Sequence, residues 1–271
     1  MQTILGHGSY SIREQGNNFV LNMLFGVVVN AASGIATTIN GLISHFTYNV
    51  LTAFRPQIIK SYAHDDIKHC NNLIISASKY SALLILLIII PFEFEAPYII
   101  KLWLNQLPLH AVSFNRIMMI SLFTCMTNPV YVGLTATGNI KHFSIVQACL
   151  YLTCPIIIYF ACNIFNIPEI AYFVIITLQF AVGLLTLIFY KKYVRQFSIL
   201  NYVWKLIYSV ISPTILSISL CYVIYKSLQP GLYRLIIIVI VNFIVLITTT
   251  YILIGKVERS KLNKIISSKF K

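Results

Sequence analysis

The sequence predicts an all-α fold, a polytopic bundle of transmembrane helices, and three observations carry that prediction. Hydrophobic residues make up 58% of the 271-residue chain and charged residues only 10%, where a soluble domain carries about 25% charged residues. Charge-poor stretches recur at about the 20 residues that a bilayer core demands of a helix. The cations collect in alternate loops. With the loop after residue 54 on the inside, the inner segments hold Arg55, Lys60, Lys68, Lys141, Lys191, Lys192, Arg195 and Lys205, then Lys256, Arg259, Lys261, Lys264, Lys269 and Lys271. The outer loops hold only Lys101, Lys226 and Arg234. Fourteen cations against three is a positive-inside asymmetry, so the net charge of +13 reports topology and contact with anionic lipid, not nucleic-acid binding.

In chain order, about seven full spans are expected near 27–54, 70–92, 111–135, 143–165, 169–190, 206–228 and 231–254. Residues 1–26 read as a truncated first helix, because Asn17 to Gly26 offers about ten residues, roughly 15 Å of helix against a core of about 30 Å. Residues 27–190 form the main bundle. Residues 191–205 are an amphipathic linker mixing Tyr193, Phe197 and Trp204 with four cations. Residues 206–255 hold two peripheral spans, the second nearly all aliphatic from Ile236 to Ile247 apart from Asn242. Residues 256–271 form a basic tail in which Leu262, Ile265, Ile266 and Phe270 alternate with cations, a pattern suited to lying along anionic lipid. Pro129, Pro155 and Pro213 fall inside spans and predict kinks or local openings there.

Residues 15 to 54 hold no charged side chain, yet they contain Asn17, Asn18, Asn22, Asn30, Asn40 and Asn49. An unpaired amide facing hydrocarbon costs several kcal/mol, so such a helix suits the wall of a polar cavity inside a membrane protein. Asn30, Ser33, Thr37, Asn40, Ser44 and Thr47 recur at spacings of three and four and share one face. The competing reading for the hydroxyls is bonding back to their own helix. Ser121, Thr124, Asn128, Tyr131 and Thr135 repeat the pattern in the 111–135 span. Three cations fall within or beside predicted spans, Arg13 next to Glu14, Lys79, and Arg116, and intramembrane charge is rare enough to mark function.

Other chemistry is thin. The six cysteines form no C-x-x-C spacing and read as small packing residues. His64, Asp65, Asp66 and His69 read as a solvated turn, since no metal-ligand spacing accompanies them. Met1 to Asn18 lacks the basic region and apolar core of a signal peptide.

The run Gln15-Gly16-Asn17-Asn18-Phe19-Val20-Leu21-Asn22-Met23-Leu24-Phe25-Gly26, the run Val29-Asn30-Ala31-Ala32-Ser33-Gly34-Ile35-Ala36, and Pro56-Gln57-Ile58-Ile59-Lys60-Ser61-Tyr62-Ala63 together resemble bacterial polysaccharide flippases. Leu102-Trp103-Leu104 with Pro108, and Ala136-Thr137-Gly138 with Ile140-Lys141, are further echoes. The likeness runs from about residue 6 to 190, and the last two helices fit by hydropathy only. It implies a Wzx-like flippase for O-antigen or capsule repeat units, of the superfamily that includes multidrug and toxin extrusion (MATE) carriers. Family members have two helix bundles around a central cavity, and this chain resembles the C-terminal bundle of that fold, with an N-terminal bundle as its expected partner.

The implied substrate is undecaprenyl-pyrophosphate-linked oligosaccharide, crossing the bacterial cytoplasmic membrane, with the C-terminus of the chain cytoplasmic. Chemistry and resemblance together nominate Arg13, Lys79 and Arg116 as pyrophosphate partners, with Arg55 and Lys60 at the cytoplasmic mouth. They nominate Asn22, Asn30, Asn40 and Asn128 as sugar partners. No cofactor, no catalytic residue and no metal is expected. A MATE-type small-molecule exporter is the alternative carrier. An integral membrane glycosyltransferase or polymerase is the competing enzyme, resting on Glu93-Phe94-Glu95, whose replacement by Gln a flippase is expected to tolerate.

Overall fold

The computed structural model describes the backbone of residues 2–253 and the side chains of residues 8–252; the basic tail expected over 256–271 lies outside the described residues. The chain is all helical, with no strand among the described residues. Its order is α1 (Gln2–Ala63), α2 (Ile67–Leu104), α3 (Ala111–Ser121), α4 (Asn128–Ala136), α5 (Lys141–Phe165), α6 (Ile170–Tyr193), α7 (Ile199–Ser227) and α8 (Leu232–Leu253). A 3-10 segment, Leu122–Thr127, joins α3 to α4 into one interrupted span. Seven described helices are long and apolar enough to cross a membrane, and large apolar side chains such as Phe160, Ile164, Leu184 and Ile252 point outward. The chain has the build of a multi-pass membrane protein.

The first helix differs from its expectation. It is helical from Gln2, and Gly26, at φ +82° and ψ −177°, breaks it into arms 2–25 and 27–63. Only glycine adopts that conformation without strain. The Ser33 hydroxyl donates to Asn18 Oδ1 across the break at 3.4 Å, although fifteen residues separate them. A straight helix would hold those residues about 22 Å apart at a rise of ~1.5 Å per residue, so the arms fold back on each other. The expected ten-residue stub is thereby corrected. The first arm has about 24 residues, roughly 36 Å of helix, enough to cross a core of about 30 Å. Gly16 seats it against α5, where a Cβ would come within 2.6 Å of Pro155 Cγ.

Short turns make successive helices antiparallel, so Arg55 near the end of α1, Lys141 at the start of α5, and Lys191 and Lys192 in the last turn of α6 share one end of the bundle, the basic end. Two buried apolar clusters organise the interior. One, near the opposite end, joins Leu21, Val29, Ile100, Phe114, Ile158 and Tyr172. The other, near the basic end, joins Ile58, Ile74, Val130, Phe143, Tyr190 and Tyr202.

Prolines inside α2 explain how α8 and α3 attach to it. A helical proline leaves the carbonyl four residues earlier without a donor. Pro91 frees the Leu87 carbonyl, which accepts from Asn242 Nδ2 of α8 at 2.9 Å. Pro97 frees the Glu93 carbonyl, which accepts from Arg116 Nη2 of α3 at 3.0 Å. Asn242 is fully buried and also accepts from the Ser217 hydroxyl of α7 at 2.5 Å. Its side of α8 is therefore a helix contact. Arg234 is corrected as well. It is buried, and its Nε and Nη2 donate to the two oxygens of buried Glu95 at 2.5 and 2.9 Å.

Candidate functional site

The polar stripes on α1 and on the α3–α4 span meet inside the bundle. Asn40 and Ser44 of α1 face Ser121, Thr124, Thr127, Asn128 and Tyr131 across a half-open cavity of about 380 Å³. Ser144, Gln147 and Tyr151 of α5, Gln179, Gly183 and Thr186 of α6, and Tyr10 of the first arm complete most of its wall. The volume lies within the ~300–1,000 Å³ typical of ligand pockets. Among the described residues, none in the wall is an Asp, Glu, Lys, Arg or His. Hydroxyls and amides do all the polar work there.

Local geometry explains why that wall is polar yet stable. The 3-10 segment tightens the span just before Asn128-Pro129, and Pro129 opens α4 where its missing N–H costs nothing. Thr124 and Thr127 donate to the carbonyls of Ser121 and Thr124, at 2.6 and 2.8 Å, which keeps their protons within the helix and leaves oxygen lone pairs for a ligand. Asn40 Nδ2 donates to the Met118 carbonyl and the Ser121 hydroxyl at 3.1 and 3.2 Å, bracing α1 against α3. The Tyr202 hydroxyl of α7 donates to the Met126 carbonyl at 2.7 Å and so holds the 3-10 segment from behind. Gln179 Oε1 is buried in the wall without a donor, which invites water or a ligand hydroxyl.

The residues nominated from the sequence are dispersed. Asn40 and Asn128 line the cavity. Asn22 is exposed on the first arm, and Asn30 is half-buried beyond the bend, outside the wall. Arg55 and Lys60 are exposed at the basic end, and Lys79 is half-buried on α2 away from the wall. Arg116 lies toward the opposite end, where its guanidinium caps the Glu93 carbonyl and stands 3.6 Å from the Glu93 carboxylate. Arg13 is 1% exposed, and its guanidinium packs 4.6 and 4.7 Å from the ring centres of Tyr10 and Tyr151, two wall residues. Ser144, Gln147 and Tyr151 on α5, and Gln179, Gly183 and Thr186 on α6, escaped the sequence reading. Their spacing of three and four was the available signal.

Two further features lie outside the cavity wall. An apolar groove of about 650 Å³ runs between α1, α2 and α8, lined by Phe54, Leu83, Leu87, Phe243 and Ile247 among others. At the opposite end, His110 Nδ1 lies 2.6 Å from Glu169 Oε1, and the Ser113 hydroxyl donates to the same oxygen at 2.8 Å. These bonds tie the α2–α3 turn to the α5–α6 turn. Burial pushes the Glu169 carboxyl up, but the bonds from His110 and Ser113 outweigh it and hold the carboxyl below its usual range.

No family model, curated protein or solved structure matches the chain.

Proposed function

We propose that this chain is one bundle of a carrier that flips lipid-linked oligosaccharide, of the undecaprenyl-pyrophosphate class, across a bacterial cytoplasmic membrane, with the basic end facing the cytoplasm. The observation that carries the reading is a cavity walled by uncharged hydroxyls and amides inside an apolar bundle. A sugar offers hydroxyls that both donate and accept, and such a wall meets them without the desolvation cost of buried charge. The apolar groove between α1, α2 and α8 supports the same reading, because a prenyl tail needs a greasy flank while its head group crosses. The half-open cavity suits closure by a partner bundle.

The test is a flipping assay in proteoliposomes, with a fluorescent polyprenyl-pyrophosphate glycan as substrate and the chain supplied alone and with an N-terminal bundle. Accelerated flipping that falls at least tenfold in the Asn40→Leu/Asn128→Leu double variant is the expected result. Transport of an organic cation in place of the glycan would replace this reading with that of a small-molecule exporter.

A further inference from the structure

One buried cluster is left unexplained by packing. Arg13 and Asn17 lie one helical turn apart on the first arm, 1% and 4% exposed. Arg13 Nη2 donates to Glu14 Oε1 at 2.5 Å, but Nε and Nη1 have no hydrogen-bond partner. Asn17 Nδ2 and Oδ1 have none either, although the amide approaches the Cys154 thiol. Four buried polar atoms within one turn of helix, three of them N–H donors, therefore lack a hydrogen-bond partner among the described residues. Leaving a buried donor unmet is costly, and more so beside a charge, so an arrangement of this kind implies an occupant. The rings of Tyr10 and Tyr151, in edge contact at 6.1 Å, pack against the guanidinium and also line the polar cavity.

We infer that Arg13 and Asn17 form an occluded site for a phosphate-class oxyanion, entered from the cavity when Tyr10 and Tyr151 part, with Glu14 as the resident counter-ion that the incoming anion displaces. The inference rests on the carrier reading above and deepens it by placing the anion site. A guanidinium offers a planar fork of donors matched to phosphate oxygens, and the Asn17 amide adds another donor on the same face. The geometry also separates this cation from the others. Arg116 is engaged by Glu93, and Arg55 and Lys60 stand in solvent at the basic end, whereas Arg13 holds unmet donors directly behind the cavity wall. Exchange of Glu14 for a ligand anion keeps the buried guanidinium neutralised at every stage, and the displaced carboxylate, 24% exposed, is the member of the pair that solvent can reach. The two tyrosines hold the cation in the meantime through their ring faces.

The experiment is calorimetric titration of inorganic pyrophosphate into the full chain in nanodiscs of zwitterionic lipid. Arg13→Gln is expected to weaken binding at least tenfold and Asn17→Ala several-fold, while Arg116→Gln leaves it unchanged. Glu14→Gln is expected to tighten binding about tenfold, because it removes the competing carboxylate, and a merely structural role for the pair does not produce a gain. If Arg13→Gln fails to fold, Arg13→Lys keeps the charge without the fork and is expected to bind several-fold more weakly than the wild type. Unchanged affinity in Arg13→Lys and Glu14→Gln, or no pyrophosphate binding by the wild type, overturns the inference. Glycan flipping with normal pyrophosphate binding by these variants sinks the site and spares the carrier reading. Arg13-dependent pyrophosphate binding without flipping does the reverse.

Discussion

At the scale of single residues, the structure relocates two charges that the sequence left in loops. In the sequence Arg234 counts as an outer-loop cation and Glu95 as half of the Glu93-Phe94-Glu95 pair, yet together they form a buried two-point ion pair under the ring of Tyr225. Removing one partner of such a pair strands the other, at a cost of about 3–5 kcal/mol. Glu95→Gln is therefore expected to lower unfolding stability in detergent by about that amount, which reverses the expectation that this residue tolerates Gln. A Glu95→Gln/Arg234→Met double variant should recover much of the loss, and equal stability of wild type and single variant would count against the account. Asn242 makes the same point without charge. Asn242→Leu leaves the Pro91-freed carbonyl of Leu87 buried and unmet, so a loss of about 1–3 kcal/mol is expected in the same measurement.

At the scale of elements, Gly26 and the turn-to-turn latch at the opposite end decide how helices are arranged. Gly26→Ala forces a side chain into a backbone conformation that costs about 1–3 kcal/mol, so the arms of α1 are expected to splay. Spin labels at positions 18 and 33 report this as a longer and broader distance distribution, and an unchanged distribution would show that the bend is imposed by packing alone. The latch carries a pH signature. Glu169 has a carboxyl held below its usual range, so its bonds to His110 and Ser113 contribute fully above the ordinary glutamate value of about 4.3. The contribution is lost as pH falls through the depressed folded value. The melting temperature of the wild type is thus expected to exceed that of Glu169→Gln at pH 6, with the gap closing below about pH 4. A gap that stays constant with pH refutes the latch.

For the whole molecule, the testable property is a wet interior within a greasy exterior. Cys125 is half-buried and lines the polar cavity, whereas Cys149 is exposed on the flank of α5. With the other cysteines replaced, Cys125 in membranes is expected to react with a small charged methanethiosulfonate, and Cys149 alone is expected to react far more slowly because lipid covers it. The reverse order would mean that the cavity is dry and the flank of α5 is not. Part of this site was legible beforehand. Asn40, Ser44, Ser121, Thr124, Asn128 and Tyr131 announce themselves by helical spacing on two elements. The contributions of α5 and α6 are harder to see, because one Gln or Thr per turn in a long apolar run also reads as ordinary helix packing.

By itself, the sequence determined that this protein is a multi-span helical bundle with polar stripes on particular faces, because bilayer length, charge exclusion and helical period are local properties of the chain. It also marked Pro129 as the place where a span opens, and the 3-10 segment lies immediately before it. Tertiary structure alone decided the rest. Whether Arg13 faces a cavity or a neighbour, which carbonyl Asn242 satisfies, and whether Glu95 is solvated or paired all depend on what a second helix brings near. Those partners lie as far as 156 residues away in the chain. The spacing along one helix says which side chains share a face, but only the packing of another helix against that face decides whether they meet lipid, protein or a polar cavity.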